Sequence, residues 1–156
     1  MTNAGPIRPE ELAEAAALYT GNPDPEGARQ AFLDVARTHR WDPRNQIVAR
    51  DGGVAGTLLH FPLADGTWLC DPPRVRRGKD GGGVAAALLR AAAREASARS
   101  VPLLRLHLEE GEARLEDPLR DAGWTHAAEM QRLARPVGGR DGIDLVDARS
   151  PLTWEP

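Results

Sequence analysis

One stretch of the sequence decides the fold, Arg76-Arg-Gly-Lys-Asp-Gly-Gly-Gly-Val-Ala-Ala-Ala-Leu-Leu89. Its first half is basic and rich in glycine, and its second half begins an alanine and leucine run, residues 84–100, that contains no helix breaker. A helix N-terminus presents unpaired N–H groups and the positive end of the helix dipole, and glycines let an anion come close to the backbone. The stretch therefore predicts a loop followed by a long helix whose N-terminus binds a phosphate or diphosphate group.

Basic side chains in and beside this loop suit phosphate oxygens. Arg74, Arg76, Arg77 and Lys79 can supply charge-assisted hydrogen bonds. Asp80 carries the opposite charge and would repel an anion. The same residues are also consistent with a solvated basic turn that binds nothing. The long helix that follows at once favours the binding interpretation.

Periodic patterns place further elements on both sides of the loop. Small and apolar residues recur at helical spacing in some segments, and others have the β-branched or alternating pattern of strands. A Gly52-Gly53 turn joins two of the strands, and Gly123 ends the last helix. The predicted elements are helices at 9–19, 26–39, 84–100 and 112–122 and strands at 46–50, 54–61, 67–70, 102–108 and, as one bent or two short strands, 124–134.

Length and composition indicate one domain without a nucleic-acid or membrane partner. The 156 residues fit a single core, and a net charge of -3 gives no basic excess. The one cysteine, Cys70, excludes an internal disulfide, no Cys and His spacing suits a metal, and no apolar run is long enough to cross a membrane. We expect a cytoplasmic protein whose residues 1–135 form the domain and whose residues 136–156 form an extension or linker.

Three stretches in this order resemble the GNAT superfamily of acyl-CoA-dependent N-acetyltransferases. The hairpin at 47–56 has a glycine at the family's position in its second strand, 76–89 resembles the signature loop and helix, and Leu119-Arg-Asp-Ala-Gly-Trp124 resembles the closing phrase. The resemblance implies an α/β (α+β) fold with a mixed, mostly antiparallel central sheet flanked by helices. Its element order is a strand, two helices, three strands, a helix, a strand, a helix and two strands.

The resemblance also implies an enzyme that transfers an acetyl group from acetyl-CoA, its co-substrate, to a primary amine of a small-molecule or peptide acceptor. A homodimer is implied on the same ground alone. Two other functions stay open. A catalytically degenerate domain of this type would bind acyl-CoA or a partner without turnover, and an α/β nucleotide-binding module would hold another phosphate. The loop lacks the ending of a P-loop and does not open the chain as a dinucleotide fingerprint does.

The cofactor is expected to occupy two places. In the family, the strand before the signature loop and the strand after the signature helix part, and the pantetheine arm lies between them. Here these strands correspond to residues 67–71 and 104–108. The expected cofactor-binding residues are Trp68, Leu69, Cys70, Arg76, Arg77, Gly78, Lys79, Gly81, Gly82, Gly83, Val84 and Ala85.

Two registers against the family are open at residues 70–85. A gapless count puts Val75 at the strand end and Asp80 at the family's arginine or glutamine position. It also puts Pro73, which has no N–H, where an amide holds the acyl carbonyl. The other register ends the strand at residue 72 and treats 74–83 as a lengthened loop with Arg77 or Arg76 at the arginine position. It leaves the Trp68 N–H for the carbonyl. We favour the second register because consecutive prolines belong after a strand rather than within one.

The catalytic candidates are ionisable residues near the expected gap. His107 and Glu109 are the first candidates for the base that deprotonates the acceptor ammonium, and His60 is a third. Asp71 could orient a substrate amine or simply begin a turn. Cys70 is expected to be a small buried strand residue rather than a nucleophile.

One position departs from the family pattern in a way that bears on catalysis. Many members have a tyrosine four residues before the glycine of the closing phrase, where it protonates the departing thiolate. Leu119 stands at that position, and the single tyrosine, Tyr19, lies in the first predicted helix. Because leucine cannot donate a proton, another group or water must do so, or catalysis has been lost.

Overall fold

The core of the molecule is one mixed, mostly antiparallel sheet, as predicted. The computed structural model describes residues 2–78, 80–108, 112–129 and 152–155. Its strands are β1 (Asn3–Pro6), β2 (Gln46–Arg50), β3 (Val54–Pro62), β4 (Trp68–Cys70), β5 (Arg74–Val75), β6 (Leu104–Leu108), β7 (Thr125–Glu129) and β8 (Leu152–Glu155). The order in the sheet is β1-β2-β3-β4-β6-β8-β7, with β5 attached to β3, and β4 and β6 run parallel to each other.

The observed helices agree with the predicted ones, except that the helix after the signature loop begins earlier than predicted. Asp80 caps the third helix by accepting a hydrogen bond from the Gly83 N–H, so this helix begins at Gly81 rather than at residue 84. Short 3-10 turns precede the first and the last helix. The helices are α1 (Leu12–Thr20), α2 (Pro25–His39), α3 (Gly81–Ala98) and α4 (Glu116–Asp121).

Different helices cover the two faces of the sheet. Successive residues of a strand point to opposite faces. In β3, Leu58 belongs to the core cluster that contains Leu88 of α3, whereas Leu59 packs with Ala16 of α1 and Phe32 of α2. One face of the sheet is therefore buried under α3 and the other under α1 and α2.

The closing phrase of the sequence lies in the core beside α3. Leu119 and Trp124 both belong to the main hydrophobic cluster. The backbone N–H of Trp124 donates to the Leu119 carbonyl at 2.9 Å, and Gly123 takes a left-handed conformation with φ of 85° that ends the helix. Leu119, at the family's tyrosine position, is completely buried and serves packing.

A strand from the C-terminal tail completes the sheet. β8 pairs with β6 on one side and with β7 on the other. Four residues of the predicted extension at 136–156 therefore pair with strands of the predicted domain at 1–135, and the division itself stays a prediction. The sequence pattern is weak there because a short strand between two others gains its hydrogen bonds from its partners and needs no long periodic pattern. The predicted strand residues 130–134 lie outside the described residues.

β4 and β5 are two parts of one interrupted strand. His60 opposes Cys70 and Thr57 opposes Arg74, so three steps along β3 match four steps on the other strand. One extra residue on one strand is the mark of a β-bulge. The prolines at 72–73 occupy the bulge, where their missing N–H groups cost no ladder hydrogen bond. The predicted end of the strand at the prolines is confirmed for β4, but the strand resumes at Arg74.

Candidate functional site

The strands β4 and β6 part just after Cys70. Their parallel pairing runs from Trp68 opposite Leu104 to Cys70 opposite Leu106. Beyond that point the chain continues as β5, whose pairing among the described residues is with β3 alone. A gap therefore opens between residues 71–75 and the end of β6.

The backbone of β4 itself is closed to a ligand. The Trp68 N–H donates to the Leu103 carbonyl at 3.0 Å, and β3 pairs with the other edge of β4. A pantetheine arm cannot add to a strand that is paired on both edges. The prediction that Trp68, Leu69 and Cys70 hold the cofactor through their backbone is therefore wrong, and the gap lies one step further along the chain.

The backbone of residues 71–75 forms one wall of the gap. Asp71 and Arg76 donate their backbone N–H groups to β3 carbonyls, at 2.9 and 2.8 Å. Because successive residues of a strand direct their N–H groups to opposite edges and the Arg76 N–H points to β3, the Val75 N–H is directed toward the gap. The prolines at 72–73 offer no amide. Val75 is thus a binding candidate that the sequence analysis missed, since the resumption of the strand depends on β3.

The strand end at Val75 agrees with the gapless register and not with the register that we favoured. Asp80 then stands at the family's arginine or glutamine position. Pro73 stands where an amide holds the acyl carbonyl in the family. The local rule that two prolines end a strand fails here because the bulge removes them from the hydrogen-bond ladder.

The N-terminus of α3 is exposed, and an acidic side chain caps it. Gly81, Gly82 and Gly83 are all exposed. The Asp80 carboxylate accepts the Gly83 N–H at 3.2 Å, and the Val84 N–H donates to the Asp80 carbonyl at 3.0 Å. The first amides of a helix have no partner within it. Gly81 and Gly82 are therefore the residues that can receive a diphosphate, next to the negative charge of Asp80.

Arg76 is engaged away from the helix N-terminus. Its guanidinium donates to the Glu14 carboxylate at 2.5 Å and to the Val54 carbonyl at 2.8 Å. Glu14 also accepts the Val54 N–H at 3.2 Å, so the pair ties α1 to the start of β3. These two bonds use the Nε–H and one Nη2–H of Arg76 and leave its other guanidinium N–H groups, so its phosphate role stays a prediction.

The remaining predicted cofactor residues differ in what they can do. Val84 and Ala85 are buried in the main core and position α3 rather than face a ligand. Arg77 and Gly78 are exposed in the loop, where Gly78 has a φ of 81°. Lys79 lies outside the described residues. Arg77 is therefore an exposed cation of the loop that leads to the N-terminus of α3.

Tyr19 and Asp71 meet at the point where the strands part, and His107 is the corresponding residue on the other strand. The Tyr19 hydroxyl donates a hydrogen bond to the Asp71 carboxylate. Cys70 lies opposite Leu106, so the next residues on the two strands are Asp71 and His107. Burial first, and then the hydrogen bond to Asp71 and its charge, raise the pKa of Tyr19, so its hydroxyl stays protonated at neutral pH.

The placement of His107 agrees with the leucine alternation in the sequence. Leu104, Leu106 and Leu108 are buried in the core, and His107 is half-buried on the opposite face. Tyr19 was missed because a contact between α1 and the strand end cannot be derived from local pattern. Glu109, the second catalytic candidate, lies outside the described residues.

An ion pair borders the same gap. Arg74 of β5 approaches Glu112 with 3.9 Å between Nη1 and Oε1, and the Glu112 side chain is only 17% exposed. The positive charge of Arg74 also acts on Tyr19, where it lowers the pKa against the larger effects that raise it. The gap therefore combines carboxylates, a guanidinium, a phenol and an imidazole contributed by four separate parts of the chain.

His60 and Cys70 face the opposite side of the sheet. His60 is buried and stacks on Trp68, with ring centroids 4.0 Å apart, and Arg99 lies over the Trp68 ring at 5.6 Å. Burial, with a smaller effect of Arg99, lowers the pKa of His60 from 6.5 to about 4. Cys70 is buried in the main core, as predicted, and burial raises the pKa of its thiol. His60 is thus too far inside the core to act as the base.

The buried His60 makes the stability of the fold depend on pH. Its pKa is lowered by folding, so the unfolded chain binds the proton more readily, and stability falls as the pH drops from 6.5 toward 4. We expect the loss from this residue to approach about 3 kcal/mol near pH 4. Urea unfolding between pH 7 and pH 4 should show a shallower pH slope in His60→Gln than in the natural protein. The exposed His39 provides the control, since equal slopes in His60→Gln and His39→Gln would contradict the prediction.

Two further properties concern the described part of the chain only. It contains no group of three or more His, Cys, Asp or Glu residues that could hold a metal ion. None of its helices has the length and apolar character that crossing a membrane requires.

Comparison with known proteins identifies the fold. No family model and no curated protein sequence matches the chain. A solved ribosomal-protein-alanine N-acetyltransferase from Brucella melitensis is 19% identical, with 98% of this chain and 98% of that chain covered and a TM-score of 0.66. An acetyltransferase of the GNAT family from Bacillus cereus is 13% identical, with 100% and 96% covered and a TM-score of 0.65.

A third match was solved with a ligand. It is a Salmonella typhimurium protein assigned as an acetyltransferase, with its cofactor acetyl-CoA, and it is 14% identical over 99% of this chain and 91% of that chain with a TM-score of 0.66. The chain thus has the fold of the GNAT acetyltransferases, and the predicted fold class is confirmed. At these identities the likeness establishes the fold, and the activity must be argued from the site.

Proposed function

We propose that this protein is an N-acetyltransferase that moves an acetyl group from acetyl-CoA to a primary amine of a small-molecule or peptide acceptor. The observation that carries the proposal is the parting of β4 and β6 after Cys70, on the sheet that α3 covers. Proteins that share the fold include a ribosomal-protein-alanine N-acetyltransferase and a protein solved with acetyl-CoA, which supports the same chemistry here.

Acetyl-CoA would be held by backbone more than by side chains. The exposed amides of Gly81 and Gly82 suit its diphosphate, and Arg77 can add a charge-assisted hydrogen bond. The pantetheine arm would lie along residues 71–75, where Val75 supplies an amide. The fit is incomplete in one respect, because Asp80 places a carboxylate at the same helix N-terminus.

The proposed reaction is a direct attack in a ternary complex. The acceptor ammonium loses a proton to a base, and its nitrogen attacks the thioester carbonyl carbon. The C–N bond forms and the C–S bond breaks. The nitrogen then releases a second proton while the thiolate takes one up, so that one proton is released to solvent overall. The protein contributes positioning, polarisation of the carbonyl and a proton acceptor.

His107 is the residue that we assign as the proton acceptor. It lies on the face opposite the main core, one residue beyond the last paired residue of β6, as Asp71 lies one residue beyond the last paired residue of β4. Imidazole is the side chain best suited to accept a proton near neutral pH. Because Leu119 is buried and has no acidic proton to donate, we assign water as the group that protonates the thiolate.

Calorimetry and a thiol-release assay together test the proposed function. Acetyl-CoA should bind more tightly than ATP, because ATP lacks the arm that fills the gap. Thiol release from acetyl-CoA should then depend on an added primary amine. Equal binding of ATP and acetyl-CoA would instead support a nucleotide-binding module.

Removing the charge of Asp80 is expected to strengthen CoA binding. Asparagine caps a helix as well as aspartate does, so Asp80→Asn keeps the fold of α3 and removes only the repulsion of the diphosphate. Two unit charges about 4 Å apart in water interact by about 1 kcal/mol, so we expect the Kd for CoA to fall about fivefold at low salt. Calorimetry at low and high salt measures the effect, which should shrink as salt screens the charges.

Asp34→Asn, a change on the exposed surface of α2, is the matched control for Asp80→Asn. It should leave the Kd for CoA unchanged. An Asp80→Asn variant that binds CoA no more tightly than the natural protein would show that the diphosphate does not sit at the N-terminus of α3.

A non-catalytic acyl-CoA-binding domain is the second candidate function. Two observations favour it, the buried leucine at position 119 and the proline at position 73 where the family has an amide. This candidate predicts tight acetyl-CoA binding without thiol release for any amine tested. The same two assays therefore decide between the candidates.

A further inference from the structure

A hydrogen bond joins two parts of the chain that lie 52 residues apart at the edge of the gap. The Tyr19 hydroxyl, in the last turn of α1, donates to the carboxylate of Asp71. Asp71 is the first residue after β4, where β4 and β6 separate. The proposed function uses the backbone of residues 71–75 to hold acetyl-CoA and neither the Asp71 nor the Tyr19 side chain, so the role of this side-chain pair requires its own explanation.

Both partners are held in place by contacts on their far sides. The Asp71 backbone N–H donates to the Leu59 carbonyl at 2.9 Å, which keeps this residue on the edge of β3. The Tyr19 ring packs edge-on against Phe32, with centroids 5.8 Å apart, and Phe32 packs in the same way against Trp41 at 5.0 Å. The carboxylate therefore has a fixed position, because an aromatic row and a sheet edge hold the groups around it.

The charges around the pair leave a negative group at the gap. Arg74 is close enough to act on Tyr19, but its guanidinium also approaches Glu112, at 3.9 Å. His107 comes from β6 on the other side of the gap. Tyr19 is neutral and donates a hydrogen bond, so it orients Asp71 without cancelling its charge. A half-buried carboxylate in this position attracts a cation more strongly than one in open water.

We propose that Asp71 binds the protonated amine of the acceptor and so selects a primary ammonium substrate, and that Tyr19 is the positioning residue that holds the Asp71 carboxylate. The inference rests on the proposed function. Asp71 acts before the chemical step, since it binds the cation while His107 takes the proton that frees the nitrogen for attack. Loss of Asp71 should therefore raise KM for a cationic acceptor more than it lowers kcat.

The test compares two acceptors of equal length and different charge. n-Butylamine is a cation at pH 7.5, and O-propylhydroxylamine is neutral there. Thiol release at saturating acetyl-CoA gives KM and kcat for each probe with the natural protein, Asp71→Asn and Tyr19→Phe. A hydrogen bond to a charged group contributes about 1.5–3 kcal/mol, so Asp71→Asn should raise KM for butylamine at least about tenfold and leave KM for the neutral probe within about twofold.

Tyr19→Phe keeps the ring against Phe32 and removes only the hydroxyl. It should raise KM for butylamine by a smaller factor, and the two substitutions together should do little more than Asp71→Asn alone, because Tyr19 acts through Asp71. Asp121→Asn, at the exposed end of α4, is the control and should change neither KM. Calorimetry should give the same Kd for acetyl-CoA in all these variants.

The outcomes separate this inference from the proposed function. If Asp71→Asn releases thiol and its ratio of the two KM values equals that of the natural protein, the role of Asp71 is rejected and the proposed function is kept. Acetyl-CoA binding without release for either probe overturns both the transfer reaction and the role of Asp71, and absence of acetyl-CoA binding overturns the cofactor assignment as well. If Asp71→Asn does not fold, an unchanged KM ratio in Tyr19→Phe is sufficient to reject the pair.

Discussion

Replacing His107 with alanine is expected to lower kcat for acetyl transfer by about 10²-fold or more, the usual contribution of a positioned proton acceptor. The side chain is half-buried on the face away from the main core, so its removal leaves the leucines of β6 in place. Stopped-flow or steady-state thiol release at saturating acetyl-CoA and amine measures the loss. Added imidazole should restore part of the rate, since it can occupy the space and accept the same proton.

His126 provides the matched control for this substitution. It is an exposed histidine on β7, separated from β6 in the sheet by β8. His126→Ala should retain the kcat of the natural protein. A kcat for His107→Ala within about threefold of the natural value, or a loss that imidazole does not relieve, would show that another group or water accepts the proton.

Replacing Gly56 with alanine is expected to lower the free energy of unfolding by about 2 kcal/mol, the usual cost of extra volume in a packed core. A Cβ atom at this position would lie 2.7 Å from Val84 Cγ1, 2.9 Å from Leu88 Cδ1 and 3.2 Å from the backbone oxygen of Arg74. Relief requires α3 or β5 to move, and both border the proposed acetyl-CoA site. Urea unfolding measures the loss of stability, and calorimetry should show weaker acetyl-CoA binding in the same variant.

Gly5→Ala is the control for the loss of stability. Gly5 lies in β1, and the nearest atom to its added Cβ would be Arg50 Nη1 at 3.9 Å, an ordinary contact. Its free energy of unfolding should stay within about 0.5 kcal/mol of the natural value. A Gly56→Ala variant as stable as Gly5→Ala would mean that α3 and the sheet are not packed as closely as these distances indicate.

The structural surroundings of the predicted cofactor residues differ with the argument used to predict each residue. The glycines at the start of α3 are exposed at the helix N-terminus, where the chemistry of free amides placed them. Arg76 was assigned from its charge, its forked donors and the register that we favoured, and its guanidinium donates to Glu14. An arginine has several possible partners in a folded chain, so its charge does not identify the one that it meets.

The sequence by itself determined the four helices, the strands that correspond to β2, β3, β4, β6 and β7, and the face on which His107 lies. These features follow from local rules, since hydrogen bonding within a helix and alternation along a strand involve neighbouring residues. The sequence also contains a glycine at position 56, but only the contact with α3 shows why a larger residue would not fit there.

Only the tertiary structure decided where the gap opens and which groups face it. The two prolines end β4, yet β5 resumes after them because β3 offers hydrogen bonds beyond the bulge. Tyr19 and Asp71 meet because α1 packs on one face of the sheet, and the Asp71 side chain lies on that same face at the end of β4. Contacts of this kind join residues far apart in the chain, and their energies depend on how whole elements pack, which no local pattern records.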